Sequence, residues 1–409
     1  MPEISRCRAC KSSSVNSVWK LADSPYGDSF TLSKSVSLAA KFHNMTLALC
    51  SNCTLVQILE ETDLEVQYDD YLYTTSTTFG LSRFYKQVVE RLIHDYDLKP
   101  DELTVIDIGS NDGSFLNGFH ERGFKVLGVE PSKLSAKIAN ERGISTLNAY
   151  YNERVASELL QEKVQPQLIS INYTLANVPD VLHFFGAVSK VMTKETVLSV
   201  ITGYHPDQFG VNMFDYIGHD HLSYFSVNSV KILCESLGLK LIDVTRVEHK
   251  GGSIQLVIKR KDSMHEVQPS INQMLQREIW MKINDVEFYQ SLARRVQVAA
   301  EQVNTILAKN PGRIVSGIGA SISTTYLCNQ FQLVQRLSKL YDDDKNKIGR
   351  FAPGSGLEVF PLDSIGDNSE ELLILLAWQH TSKLLSRLQE CQFHGEILIP
   401  LPTPKLITV

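Results

Sequence analysis

The stretch Val105-Ile-Asp-Ile-Gly-Ser-Asn-Asp-Gly-Ser-Phe-Leu116 constrains the fold more than any other part of the chain. Its first residues have strand character, Gly109 and Gly113 punctuate a turn, and Ser-Phe-Leu opens a helix. A second apolar run, Phe124-Lys-Val-Leu-Gly-Val, ends on Glu130-Pro131. Strand, glycine turn, helix, strand and terminal acid make a nucleoside-binding βαβ unit. Glycine lets backbone approach the ligand, and the acid accepts the two ribose hydroxyls. A dinucleotide fits poorly, because its diphosphate needs a third small residue and an open helix N-terminus. This loop instead carries Asp107, Asn111 and Asp112. Acids repel a diphosphate and attract an ammonium or a sulfonium. The loop therefore reads as a site for S-adenosylmethionine, with Asp107, Gly109, Ser110, Asn111, Asp112, Gly113, Phe115, Glu130 and Pro131 as candidate contacts.

From about residue 101 to 262, apolar strand candidates at 103–108, 125–129, 168–172, 197–201 and 253–259 predict a doubly wound α/β sheet, with helical stretches between the earlier ones. Ligands of such sheets lie beyond the carboxyl ends of the strands, where the glycine turn and Glu130 both fall. Residues 266–309 read as one or two long helices. Ile271, Met274, Leu275, Ile279 and Ile283 make one apolar stripe, and Leu292, Val296, Ala299, Val303 and Leu307 another. A connector between domains is the expectation, and Lys309-Asn-Pro-Gly312 stops it. Arg313-Ile-Val-Ser-Gly317-Ile-Gly319-Ala-Ser321 then repeats strand, glycine turn and helix start, with further strands at 340–342, 358–360, 372–376 and 396–399. A second turn of nucleotide type suggests two ligands held face to face, although close helix–strand packing also calls for glycine.

The N-terminal segment holds two C-x-x-C pairs, Cys7/Cys10 and Cys50/Cys53. Four thiolates are the donor set Zn²⁺ prefers in closed structural sites, with no position open for a substrate. A redox pair is the alternative reading. An odd total of seven cysteines fits a reducing compartment better than a disulfide framework, so a cytoplasmic protein is expected. The net charge of −6 is spread along the chain and argues against a nucleic-acid binder. No apolar run reaches the roughly 18 residues of a membrane span, and the first residues lack the charged and apolar regions of a secretory signal. The expected partner is a small-molecule substrate, and the expected state a monomer or weak dimer. The fold class is α/β in three parts: a zinc-binding domain over 1–65, a doubly wound S-adenosylmethionine-binding domain over 66–265, and a second α/β domain over 313–409. A helical connector over 266–312 joins the last two.

Between these parts, Tyr68-Asp-Asp-Tyr71-Leu-Tyr73 is rich in phenols that either pack a domain junction or reach a substrate, and 84–97 reads as a helix. Further motifs are Val178-Pro179-Asp180, Phe214-Asp-Tyr-Ile-Gly-His219-Asp220-His221-Leu-Ser-Tyr224-Phe225-Ser226, Gly251-Gly252-Ser253 and Lys347-Ile-Gly349-Arg-Phe-Ala-Pro353-Gly354. In order and spacing, these motifs with the cysteine pairs and both glycine turns resemble the sugar C-methyltransferases of deoxysugar biosynthesis over nearly the whole chain.

The resemblance implies a structural Zn²⁺ in the N-terminal domain, a class I methyltransferase fold for the S-adenosylmethionine domain, a Rossmann-like C-terminal domain over 313–409, and a nucleotide-linked 4-keto sugar held between the last two. It also implies chemistry: a base removes the proton next to the ketone, and the enolate carbon takes the methyl group. The acceptor side departs from the family pattern. Where that pattern reads Tyr-His-Glu-His, this chain has Gly218-His219-Asp220-His221; Asn177 replaces a histidine and Ser323 a lysine. Three explanations stay open. His221, oriented by Asp220, can be the base; Tyr71, Tyr73 or Tyr216 can supply the lost phenol; or the acceptor differs, with O-methylation or a binding protein without catalysis as alternatives. His219 and Tyr224 complete the catalytic candidates, and Asn177, Tyr216, Gly319, Ser321, Ser323 and Asp342 are the candidate substrate contacts. The bland reading of His219 and His221 is a pair of core or capping residues.

Overall fold

Three β-sheets organise the computed structural model, which describes residues 3–61, 75–77, 80–100, 103–366 and 370–409. The first sheet is antiparallel: β1 (Val15–Lys20), β2 (Thr46–Cys50) and β3 (Val56–Ile58). Its fourth strand, Ser223–Tyr224, comes from the His-Asp-His motif and pairs with β3 through Val56↔Tyr224 and Gln57↔Ser223. The small N-terminal sheet thus fixes a segment that the sequence places far away.

The second sheet holds the expected donor unit. β4 (Thr104–Ile108), β5 (Lys125–Glu130), β6 (Thr146–Asn148), β7 (Pro166–Asn172) and β8 (Val197–Gly203) run parallel. After Ser223–Tyr224 (β9), β10 (Leu239–Val247) and β11 (Ser253–Arg260) join antiparallel, giving the order β10-β11-β8-β7-β4-β5-β6. β4 and β7 are buried along their whole length because helices cover both faces, which is why they read as unbroken apolar runs. The sequence reading lacked β6 and β10. β6 buries one residue of three, and β10 slips register between Leu241 and Asp243, so neither shows a clean alternation.

The third sheet follows a similar plan, with β12 (Val315–Ile318) between β13 (Leu340–Asp342) and β15 (Leu372–Leu375). β14 (Val359–Pro361), β16 (Glu396–Ile399) and an antiparallel edge strand, β17 (Lys405–Thr408), complete it. The connector is two helices, Pro269–Met281 and Val286–Ala308. The second buries Leu292, Val296, Ala299, Val303 and Leu307 as expected, together with Tyr289. These side chains join Leu47 and Val56 of the first sheet and Val315 and Leu340 of the third in one core. Burying each such side chain contributes on the order of 1.5–3 kcal/mol, so this helix is a shared wall rather than a tether. In the first helix the expected stripe is shifted: Ile279 is 62% exposed. Its neighbour Glu278 is buried instead, accepting from Tyr204 Oη (3.1 Å) and from the backbone N–H groups of Val227 (2.6 Å) and Asn228 (3.1 Å). Glu278 caps the N-terminus of the earlier helix Val227–Ser236 and takes the buried position in place of Ile279.

Candidate functional site

At the carboxyl end of β4 the chain turns sharply. Gly109 has φ +73°, and a Cβ there would lie 2.1 Å from Thr174 Oγ1, so no other residue fits. Asn111 also takes a positive φ (+49°), and its backbone N–H donates to Glu130 Oε2 at 2.9 Å. Ser132 N–H donates to the other oxygen, Oε1, at 2.8 Å. One donor on each oxygen fixes the carboxylate at the end of β5, where spare lone pairs can take a pair of hydroxyls. Burial pushes the Glu130 pKa up against these two donors. Asp107 is likewise held, by Ser170 Oγ (2.6 Å) and Asn172 Nδ2 (3.1 Å), and burial pushes it up to about 7.

These groups open into a cavity of about 700 Å³. Gly109, Ser110, Asn111, Phe115, Glu130 and Pro131 line it at one end. Ser110 Oγ and Asn172 Oδ1 are buried in its wall with no hydrogen-bond partner among the described residues, as expected where a polar ligand completes the site. The residues present fit S-adenosylmethionine. Two candidates are placed elsewhere. Asp112 is fully buried, accepting from Ser114 Oγ (2.6 Å) and Ser76 N–H (3.0 Å) and pairing with Arg142 (3.2 Å). Burial would raise its pKa, but these donors hold it below the ordinary carboxylate range. It fastens the segment at 75–77 onto the loop instead of facing the cavity, and Gly113 packs against Ile144.

The opposite wall is built by the 214–226 motif. The His221 Nδ1–H donates to the carbonyl oxygen of Tyr216 at 2.9 Å, and the Tyr216 ring stacks on the imidazole with centroids 5.9 Å apart. That bond puts the neutral ring's lone pair on Nε2, which lies 3.6 Å from Asp220 Oδ2. Tyr224 Oη accepts from Gly218 N–H (3.1 Å) and reaches the Tyr216 carbonyl (3.5 Å), and burial keeps the phenol neutral. Tyr216, Asp220, His221, Tyr224 and Asn177 all line the cavity, as do Ser321 and Ser323 from the third sheet.

His219 points the other way. Its Nε2–H donates to the carbonyl of Asn44 (3.1 Å), and its ring lies among Tyr26, His43 and Tyr326. Here the core reading describes its placement. Asp342 accepts from the backbone N–H groups of Ala320 (2.6 Å) and Asp344 (2.8 Å), which shapes the second glycine turn from outside the cavity. At Gly319 a Cβ would meet Ala377 at 2.7 Å, so this glycine serves helix–strand packing. Tyr71 and Tyr73 lie outside the described residues.

Gly218, where the family pattern has tyrosine, is explained by a neighbour. A Cβ at 218 would lie 2.2 Å from the Tyr326 ring. Tyr326, on the helix Ile322–Gln330, is buried and its hydroxyl accepts the His219 N–H at 3.0 Å. A ring from the third sheet thus fills the space next to the backbone of 218.

Sequence reasoning gave no role to three other groups at this end. Lys347 Nζ pairs with Asp28 (2.6 Å) and donates to the Ala320 carbonyl (2.9 Å). Asp215 is fully buried against Trp378 and Gln379. Lys250, at φ +53°, lies 4.2 Å from the centre of the Tyr173 ring. Lys347, Asp215 and the glycines after Lys250 stood inside quoted motifs; Asp28 carried no sequence signal.

The four cysteines gather as their spacing predicts, with all sulfurs within 4.8 Å of one another. Cys7–Cys53 and Cys10–Cys50 sulfurs are 3.5 and 3.6 Å apart, close to the roughly 3.8 Å edge of a tetrahedron with Zn–S bonds of about 2.3 Å. The donor set fits a structural zinc. Between the first pair, Arg8 donates to the carbonyls of Pro179 (3.0 Å) and Glu60 (3.1 Å), tying the knuckle to the central domain. Among the described residues no helix is long and apolar enough to cross a membrane.

Three family models match the chain in succession: a putative zinc binding domain over residues 7–68, a methyltransferase domain over 80–244, and a C-methyltransferase C-terminal domain over 248–402. The C-methyltransferase NovU of Streptomyces niveus is 25% identical over 409 residues, covering 99% of this chain and 97% of that protein. Among solved structures, the magnesium protoporphyrin IX methyltransferase ChlM from Synechocystis PCC 6803 with bound SAH covers 48% of this chain and 92% of its own, at 13% identity and a TM-score of 0.36. The mitomycin 7-O-methyltransferase MmcR covers 44% and 53%, at 17% and 0.34. Structural likeness of that degree bears on neither acceptor nor mechanism.

Proposed function

This chain belongs to the sugar C-methyltransferase family and is an S-adenosylmethionine-dependent C-methyltransferase; from that premise we propose that its acceptor is a keto sugar carried on a nucleotide. The observation that carries the reading is one cavity lined both by the glycine-turn loop with Glu130 and by His221, whose Nδ1 bond to the Tyr216 carbonyl leaves the ring's lone pair on Nε2. When bound, S-adenosylmethionine supplies a methyl group already activated by its sulfonium, so the transfer asks mainly for alignment.

The chain's own residues do the rest. Glu130 would accept the ribose hydroxyls, and the backbone from Gly109 to Asn111 would hold the nucleoside. His221 Nε2 takes the proton from the carbon beside the ketone, and the electron pair left behind becomes an enolate. Asp220 then faces the imidazolium that has formed, and the Tyr216 carbonyl keeps the ring from turning. With the donor held by Glu130 and the 109–111 backbone, the carbon that His221 has deprotonated would be placed to take the activated methyl group, its new C–C bond replacing the methyl–sulfur bond. Ser321 and Ser323, at the N-terminus of a helix and near Lys347, face the nucleotide portion.

The test is the structure of the product. Incubated with S-adenosylmethionine and a panel of nucleoside-diphosphate keto sugars, the protein should give a C-methyl signal in the NMR spectrum of one of them. An O-methyl product, or turnover only with acceptors lacking a carbonyl, would refute the proposal.

A further inference from the structure

Asp215 occupies a position that the local packing does not account for. It lies in the one-turn segment Phe214–Tyr216, is fully buried, and lines the cavity. Its Oδ2 accepts two hydrogen bonds from the third sheet's side of the cavity, from Trp378 Nε1 and Gln379 Nε2, each at 2.9 Å. Its Oδ1 has no hydrogen-bond partner among the described residues. Leaving such an atom unpaired and buried is destabilising, a penalty removed when a ligand brings the partner. The next residue, Tyr216, provides the carbonyl that fixes His221 Nδ1. Asp215 and the base therefore hang on consecutive peptide units, with the Cα atoms of 215 and 216 about 3.8 Å apart.

We propose that Asp215 carries a proton on Oδ1 and donates it as a hydrogen bond to the acceptor's carbonyl oxygen, holding the oxyanion that forms as His221 removes the neighbouring proton. The assignment rests on the keto-sugar reading and goes beyond it by naming the group that polarises the ketone, where the family's tyrosine is missing. Two features support the direction of this bond. An indole N–H and an amide N–H can only donate, so both make Oδ2 an acceptor and leave the proton to Oδ1. Burial also outweighs these two donors and the residue's own backbone N–H, and pushes the Asp215 pKa up to about 7. A carboxyl kept protonated by an apolar site is a known stabiliser of enolates. The proton stays on Asp215, so the only proton transferred is the one His221 takes.

Exchange of the acceptor's C–H with deuterated solvent tests the proposal. The full chain is used with S-adenosylhomocysteine and a nucleoside-diphosphate 4-keto-6-deoxyhexose. Asp215→Ala should slow exchange by about 10²–10³ while S-adenosylhomocysteine affinity stays near wild type and thermal unfolding falls modestly, because Trp378 Nε1 and Gln379 Nε2 lose their acceptor. Asp215→Leu, closer in size, replaces it should the alanine variant not fold. Asp215→Asn should lose far less, within about tenfold, because its amide oxygen takes the Trp378 and Gln379 bonds and its N–H faces the cavity. Exchange within threefold of wild type in the alanine or leucine variant overturns the proposal. So does an asparagine variant as slow as alanine, since that would mark an ionised acceptor group. A wild-type protein that exchanges no proton in any keto sugar removes the keto-sugar reading itself, and this proposal with it.

Discussion

The two ends of the cavity are built on different principles. At the donor end, the turn at 109–113 and Glu130 belong to one βαβ unit, and their positioning bonds come mostly from within it. At the acceptor end, His221 and Asp215 come from a motif clipped to the first sheet, Ser321 and Ser323 from the third, and Asp28 and Lys347 from both. A local site depends mainly on short-range sequence. An assembled site depends on how three sheets dock, so it can change its chemistry by altering one docking residue without disturbing the donor. The Gly218–Tyr326 contact is such a residue pair.

The sharpest break in this comparison is Gly109→Val. A side chain at φ +73° and 2.1 Å from Thr174 is excluded, so S-adenosylhomocysteine binding measured by calorimetry should weaken by about 100-fold or more. Thermal unfolding should fall only as far as that local strain requires. Removing zinc should do the reverse. A chelator-stripped protein loses the knuckle that Arg8 ties to Pro179 and loosens the sheet that pairs with Ser223–Tyr224. Methyl transfer should drop by about tenfold or more, with S-adenosylhomocysteine affinity changed less than twofold. Equal losses at both ends would show that the two are not separately built.

Much of the donor end was legible because its residues lie within 26 positions of one another and their spacing encodes the turn. Glu130 and Gly109 needed nothing beyond strand–turn–strand logic. Asp112 misled, because an acid in a loop reads the same whether it faces a ligand or, as here, Ser76, Ser114 and Arg142. The third sheet's turn was visible as a turn, yet only the structure separates Gly319, which packs on Ala377, from Ser321 and Ser323, which face the cavity. His219 and His221 are two residues apart and equivalent on paper; pairing of Ser223–Tyr224 with β3 accompanies their pointing to opposite sides. Asp28 could not be found, since its partner Lys347 lies 319 positions away.

Two smaller effects sharpen the account. Gly218→Tyr should destabilise the protein by about 1–3 kcal/mol in urea unfolding, the usual result of overpacking, because Tyr326 occupies the space at 2.2 Å. Adding Tyr326→Ala should recover part of that loss, and a single variant as stable as wild type would dismiss the exchange of one ring for the other. The smallest effect is expected from Asp28→Asn, which frees the Lys347 ammonium from its ion pair. A nucleoside diphosphate should then bind up to about fivefold more tightly, in line with the ~1 kcal/mol value of a partly exposed charge. Unchanged or weaker binding would place the nucleotide away from Lys347.

The central claim is that the donor end and His221 serve one carbon. It is tested most directly by following the keto sugar's C–H by NMR in deuterated solvent, with S-adenosylhomocysteine holding the donor end and no methyl group to transfer. The wild type should incorporate deuterium at the carbon beside the ketone, and His221→Ala should lose about 10²–10⁴ in that rate with S-adenosylhomocysteine affinity intact. Undiminished exchange in His221→Ala, or methylation by the wild type of an acceptor that never exchanges, would contradict it.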